Sequence, residues 1–171
     1  MKQFRTLLIA LSFIFGTVAV TNAQDSKIAH INTQELIESM PAYKSAMSQL
    51  QKLESTYKAD IDDLLKEAQS KNQRYQQDAV NQTDDENAKR AQELQEDQQK
   101  IMQFQQNAQK ELQKKENELL RPVYEKARTS IQKVAREKGF DYVLDSTTGA
   151  GGVILADGYD LMADVKSDLG I

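Results

Sequence analysis

The residues that could do chemistry in this chain are few. His30 is the one histidine, and there is no cysteine. A lone imidazole cannot build a zinc site, which takes three or four His, Cys or carboxylate ligands. As a general base it would need a nucleophile and an orienting carboxylate, so His30 is read as a structural residue of a strand. Gly149-Ala150-Gly151-Gly152 has the glycines of a phosphate loop, but such a loop opens onto a helix and carries a Lys. Here an apolar run follows, and a hairpin turn is expected instead. Asp157, Asp160 and Asp164 lack the spacing and terminal Glu of a calcium loop, so they read as turn and cap residues. No cofactor, metal or catalytic constellation is predicted, which points away from an enzyme.

What remains is chemistry of contact. Tyr57, Tyr75 and Phe104, together with Met47, Val80 and Met102, are apolar side chains spread through a polar stretch. Methionine is unbranched and adapts to irregular surfaces. These six are the candidate residues for contact with a binding partner. Lys89-Arg90 is the one adjacent basic pair near the middle of that stretch, beside Asp84, Asp85 and Glu86, and it reads first as a solvated helix face.

The elements that carry these residues are long. Pro41 and Pro122 frame residues 42–121, which contain neither Gly nor Pro and are dominated by Gln, Glu, Lys, Ala, Leu and Asp. Apart from Asp these are good helix formers. Within the run, Asn81-Gln82-Thr83-Asp84-Asp85-Glu86 has no apolar residue. Thr83 with Glu86 makes a capping box, and the acids suit the positive end of a new helix. Two helices of nearly equal length are therefore expected, over 42–80 and 84–121, folded as an antiparallel hairpin with its tip near 80–84. Tyr43, Met47, Leu50, Leu53, Tyr57, Ile61, Leu64 and Ala68 recur at spacings of three and four. Ala91, Leu94, Ile101, Phe104, Ala108, Leu112 and Leu119 do so on the return. That is a coiled-coil seam. It thins between Lys71 and Ala91, which predicts a firm base and a weakly held tip.

The ends of the chain read differently. Lys2 and Arg5 precede an uncharged, largely apolar run from Leu7 to Val20, and Thr21-Asn22-Ala23 offers small residues for cleavage. The run falls short of the ~20 residues that span a bilayer, so residues 1–23 read as a cleaved signal peptide. Removing Lys2 and Arg5 takes the net charge from −4 to −6, which repels nucleic acid phosphates. Lys27 to Ile31 is a strand candidate, and Asn32 caps a short helix that ends at Met40, before Pro41. After Pro122, which should kink the arm or start a new helix, a helical stripe runs to a stop at Gly139. Phe140 to Leu144 and Val153 to Ala156 read as strands, and Asp160 to Leu169 as a helix with Leu161, Val165 and Leu169 on one face.

The fold class is thus mainly α with a small β body. Residues 24–40 and 122–171 form the body and 41–121 the projecting hairpin. Two or three short strands are marginal alone. Burying Ile28, Ile31, Val143, Val153, Ile154 and Leu155 requires further copies of the same sheet, so an obligate homo-oligomer with a barrel-like body is expected.

Two terminal segments carry a family resemblance. Lys27-Ile28-Ala29-His30-Ile31-Asn32-Thr33-Gln34-Glu35-Leu36 with Pro41-Ala42-Tyr43-Lys44, and Val134-Ala135-Arg136-Glu137-Lys138-Gly139-Phe140-Asp141-Tyr142-Val143-Leu144-Asp145, resemble the Skp/OmpH family of periplasmic chaperones. Asp160-Leu161, Val165 and Leu169 extend the likeness. The resemblance implies a homotrimer in which helical tentacles enclose a cavity. That cavity holds unfolded outer-membrane proteins without ATP. It also implies lipopolysaccharide contact at basic tentacles, here reduced to Lys89 and Arg90, and contact with the membrane surface without an anchor. The tentacles of the best-known members are strongly basic, whereas this mature chain is acidic. The other class of function open to a long hairpin is a structural spacer of the cell envelope with no client.

Overall fold

The computed structural model describes residues 26–149 and 152–171. The proposed signal peptide lies outside the described residues. The chain runs β1 (Ile28–Ile31), α1 (Thr33–Ser39), α2 (Pro41–Asp78), a single 3-10 turn (Ala79–Asn81), α3 (Asp84–Glu137), β2 (Tyr142–Asp145), β3 (Tyr159–Asp160) and α4 (Met162–Leu169).

Local chemistry sets most of these boundaries. Asn32 Oδ1 accepts from the Glu35 amide at 3.0 Å and starts α1. Met40 is extended, as a residue before proline must be, and Pro41 occupies the first turn of α2, where its missing N–H costs nothing. Thr83 Oγ1 accepts from the Glu86 amide at 3.2 Å, and Asp84, Asp85 and Glu86 fill the first turn of α3. At the other end Gly139 takes φ +75°, which lets the Phe140 amide reach back to the Ala135 carbonyl at 2.9 Å. That left-handed turn closes the helix.

Two expectations about α3 and the sheet are corrected. Pro122 starts no new helix, since α3 runs unbroken for 54 residues. Proline removes one ladder hydrogen bond and crowds the carbonyl four residues back. Its neighbours hold the helix on course: Leu120, Val123, Ala127, Ser130 and Val134 are all buried. One helix therefore belongs to both the hairpin and the body.

The second correction concerns the strands. Val153, Ile154, Leu155 and Ala156 form no strand, Ile154 and Leu155 stand in solvent, and the strand falls at Tyr159–Asp160. The turn expected at Gly149–Gly152 includes Ala150 and Gly151, which lie outside the described residues. The sheet order is β2-β1-β3, and both outer strands run parallel to β1. Parallel strands are joined by a long crossover and not by a tight hairpin. Position beside β1 is decided by the docking of α4: the Leu161 amide donates to the His30 carbonyl at 3.0 Å, and Leu161 and Val165 are fully buried. The neighbouring apolar run is left without a strand to pair with. Between the two, β2 also starts two residues later than the Phe140 expected. The Phe140 ring packs on Tyr159, with centroids 5.1 Å apart.

The core is formed by Ala29 and Ile31 of β1, Leu36 and Met40 around α1, Val123, Ala127, Val134 and Ala135 of α3, and Leu161 and Val165. Full burial of an aliphatic side chain contributes about 1.5–3 kcal/mol, so this small cluster is the main stabilising element of the body. Polar latches surround it. Thr33 Oγ1 donates to Asp145 at 2.7 Å, Ser130 Oγ to Asp168 at 2.6 Å, and Lys138 pairs with Asp164 at 2.8 Å.

Candidate functional site: an arm with two seams and an uncovered sheet face

Alternation along β1 splits the sheet into two faces. Ala29 and Ile31 face the core and are buried. Ile28 pairs with Tyr142, and His30 with Leu144, so these four share the opposite face. Ile28, Tyr142 and Leu144 are exposed there, at 51%, 59% and 44%. His30 is half-buried, and its Nδ1 lies 3.3 Å from Ser146 Oγ. Parallel sheets are ordinarily covered on both faces, and among the described residues this one is covered on one. Of the six residues expected to build the body, Ile31 is enclosed within its own chain. Val143 and Val153 are half-buried, and Ile28, Ile154 and Leu155 are open. Tyr142 and Leu144 were missed as members of the open face, although the period of two through Tyr142-Val143-Leu144 carries them.

Beside the sheet, a cavity of about 540 Å³ lies between β2 and the body half of α3. Its lining includes Ile37, Tyr124, Ile131, Phe140 and Val143, with Arg128 and Asp145 at its polar side.

The seam of the hairpin has two chemistries. In its basal half, Leu50, Leu53, Ile61 and Leu64 are half-buried, Ile101 and Ala108 are buried, and Tyr57 meets Phe104 edge to face at 6.2 Å. Such aromatic pairs contribute about 0.5–1.5 kcal/mol beyond area burial. Near the body the close-packed residue is Ala46, and Met47 is turned outward at 42% exposure. The small side chain lies where Leu119, Pro122 and Val123 approach.

In the outer half the same three-and-four spacing continues with polar residues. Lys71 Nζ lies 2.7 Å from Asp97 and 3.4 Å from Glu93. The Tyr75 hydroxyl donates to Glu93 at 2.6 Å. Both terminal nitrogens of Arg90 donate to Asp78 Oδ2 at 3.1 Å, and its guanidinium lies over the Tyr75 ring at 4.8 Å. Asn87 Nδ2 donates to the Ala79 carbonyl at 2.9 Å. Arg90, not Ala91, is the seam residue, and Ala91 is exposed. Of the basic pair, then, Lys89 faces solvent and Arg90 is engaged within the arm.

These contacts bias the titration of the groups that make them. Hydrogen bonds from Asn81 and then Arg90 hold the Asp78 carboxyl below its usual range. The Tyr75 hydroxyl and then Lys71 do the same for Glu93, and Lys71 does so for Asp97. Reciprocally, the hydrogen bond to Asp97 raises Lys71, and the bond to Glu93 raises the Tyr75 hydroxyl.

Of the remaining contact candidates, Val80 at the tip is 90% exposed and Met102 is 54% exposed. Tyr57 and Phe104 are half-buried in the seam, and Tyr75 is half-buried under Arg90. The six are spread along the arm and not gathered at one point. Among the described residues, no cluster of three or more His, Cys, Asp or Glu is placed to hold a metal, and no buried side-chain polar atom lacks a partner. Among the same residues, no helix is long and apolar enough to cross a membrane.

The family model described as outer membrane protein (OmpH-like) matches residues 27–169. The chain belongs to the OmpH-like family. The match takes in β1, both arms, β2, β3 and α4, so the body and the hairpin are family features together. An OmpH-like protein from Caulobacter crescentus CB15, proposed as an outer membrane chaperone, has a solved structure that shares this fold. The TM-score is 0.73 at 19% identity, covering 84% of this chain and 83% of that one. No curated protein matches the chain.

Proposed function

We propose that this OmpH-like chain is an ATP-independent holdase of the periplasm, exported by cleavage of residues 1–23. It binds unfolded outer-membrane proteins between arms and prevents their aggregation. The observation that carries the reading is the arm itself: a paired-helix rod about 57 Å long whose outer surface leaves Met47, Leu65, Val80 and Met102 uncovered. Scattered, adaptable apolar contacts on a largely amide and charged surface suit weak, multiple attachment to an unfolded chain. Membership of the OmpH-like family supports the same role. Lys89 would be the residue of the basic pair that meets lipopolysaccharide or a membrane surface.

The assembly in this proposal is a homotrimer. Ile28, Tyr142 and Leu144 on the open sheet face, and the run Val153-Ile154-Leu155, are covered by neighbouring copies. A parallel sheet bare on one face and an apolar β-branched run without a partner strand both support association. Leu144→Asp with Tyr142→Asp places two charges on that face and should give a monomer mass by light scattering, against three chains for the parent. A monomeric parent would remove the cage.

The client reading is tested by diluting an unfolded outer-membrane protein from urea with and without this chain. Aggregation should be suppressed at a molar excess of trimer, and no suppression would sink the proposal. A spacer without a client is the second reading, favoured by cross-arm contacts that run to the tip. It predicts no effect in that assay with an intact trimer.

A further inference from the structure

The two chemistries of the seam respond to different solution conditions. Contacts among Tyr57, Phe104, Leu64 and Ile101 depend on apolar burial, which salt and acid scarcely touch. Beyond Ala68 the cross-arm contacts change character. They are the Lys71–Asp97–Glu93 cluster, the Tyr75–Glu93 hydrogen bond, the Arg90–Asp78 pair and the stacking of Arg90 on Tyr75. We infer that the outer third of the arm is an ionic clasp, which opens and closes while the basal seam stays shut. Opening parts α2 from α3 between Lys71 and Asp97 and frees the Tyr75 ring.

The facing charges come from both helices. On α2 they are Lys71, Tyr75 and Asp78, with Glu67 lining the same cleft as Lys71, Asp97 and Lys100. On α3 they are Glu86, 3.5 Å from Arg90, then Arg90, Glu93 and Asp97, with Lys100 3.5 Å from Asp97. Individually, exposed pairs contribute little because water screens them. This cluster is only partly sheltered, with the Arg90 and Lys71 side chains 18% and 23% exposed, so the clasp sits near balance and does not lock. Salt shortens the range of its attractions. Acid acts with a definite sign. Asp78, Glu93 and Asp97 titrate below their ordinary values in the closed arm. The clasp is therefore fully supported above the ordinary carboxyl range and is lost as pH falls below that range, through the lowered values of the closed arm. The inference stands whether or not the arm binds a client.

The chain has no cysteine, so pairs of spin labels can be placed without background. One pair, Gln77→Cys with Ala91→Cys, sits outside the clasp on exposed positions, and the other, Lys58→Cys with Gln109→Cys, reports on the base. Labelled chains are diluted with unlabelled ones, and distances are read by pulsed electron resonance. Raising salt from about 0.05 M to about 1 M, or lowering pH towards 3, should broaden and lengthen the outer distance while the basal one holds. Arg90→Asp should open the clasp at low salt, and adding Asp78→Arg should close it again. An outer distance that ignores salt, acid and Arg90→Asp would overturn the clasp. So would basal and outer distances that broaden together, which means that the arm melts as one unit.

Discussion

The basal and outer halves of the α2–α3 seam are placed by one helical spacing and held by opposite means. At the base, Ile101 and Ala108 are buried and Tyr57 meets Phe104. At the outer end the corresponding positions are Lys71, Tyr75 and Asp78 facing Arg90, Glu93 and Asp97. A coiled coil needs complementary partners at its seam positions, and those partners need not be apolar. The apolar solution yields a firm joint. The ionic one yields a joint of low net worth that still fixes which residues face one another. The body extends the comparison, because among the described residues its core holds the fully buried large side chains Ile31, Leu36, Leu161 and Val165.

The largest effect is expected in that core. Leu161 is fully buried between the sheet and α3. Leu161→Ala removes its packing and leaves a cavity, at a cost of about 2–5 kcal/mol. Because α3 continues from the body into the arm, thermal unfolding followed by circular dichroism should lose body and arm together. A variant whose arm melts at the parent temperature would show that the two halves of α3 are not coupled through Pro122.

Next is the basal seam. Ile101→Ala should cost about 2–3 kcal/mol, below the core value because the seam is bordered by solvent. In hydrogen exchange, the added opening should appear across Leu53–Leu64 and Ile101–Ala108, with the body amides unchanged. Acceleration confined to residues 78–90 would mean that the tip, and not the base, carries the hairpin.

How far the sequence foretold this depends on how local each determinant is. The Asn32 and Thr83 caps, the Pro41 start and the Gly139 stop are read from residues within one helical turn, and the hairpin follows from them. The sheet joins residues more than a hundred positions apart. Nothing near Val153 signals that Leu161, docked by its amide on His30, claims the edge of β1 for Tyr159–Asp160. A strongly β-favouring run therefore misleads when the competitor is a tertiary contact. Pro122 misleads for a related reason, since buried neighbours on both sides outweigh a single lost hydrogen bond. The outer seam failed in another way. Lys71, Tyr75 and Asp78 keep step with Ala68, and Arg90 and Asp97 keep step with Leu94 and Ile101. Counting only apolar residues made that stretch look empty, and the complementary charges at seam positions were the overlooked signal.

A smaller effect belongs to the turn that joins the two seams. Thr83→Ala removes the oxygen that accepts from the Glu86 amide and should cost about 1 kcal/mol of helix stability. Amides of Glu86 and Asn87 should exchange faster, with the base unaffected. Thr83→Ser, which keeps the hydroxyl, should restore protection.

The smallest change separates the two members of the basic pair. Lys89 is exposed, and Arg90 bridges Asp78, Glu86 and the Tyr75 ring. Lys89→Ala should leave stability within about 0.5 kcal/mol of the parent, as surface substitutions do. Arg90→Ala leaves Asp78 without its guanidinium partner and uncovers the Tyr75 ring, so exchange should rise from Lys71 to Asp97 and stop there. The Asp78 carboxyl should also titrate closer to its ordinary value in Arg90→Ala. That shift stays incomplete, because Asn81 and Gln82 still donate to Asp78. Equal responses to the two alanines would mean that charge density at the tip matters and seam position does not.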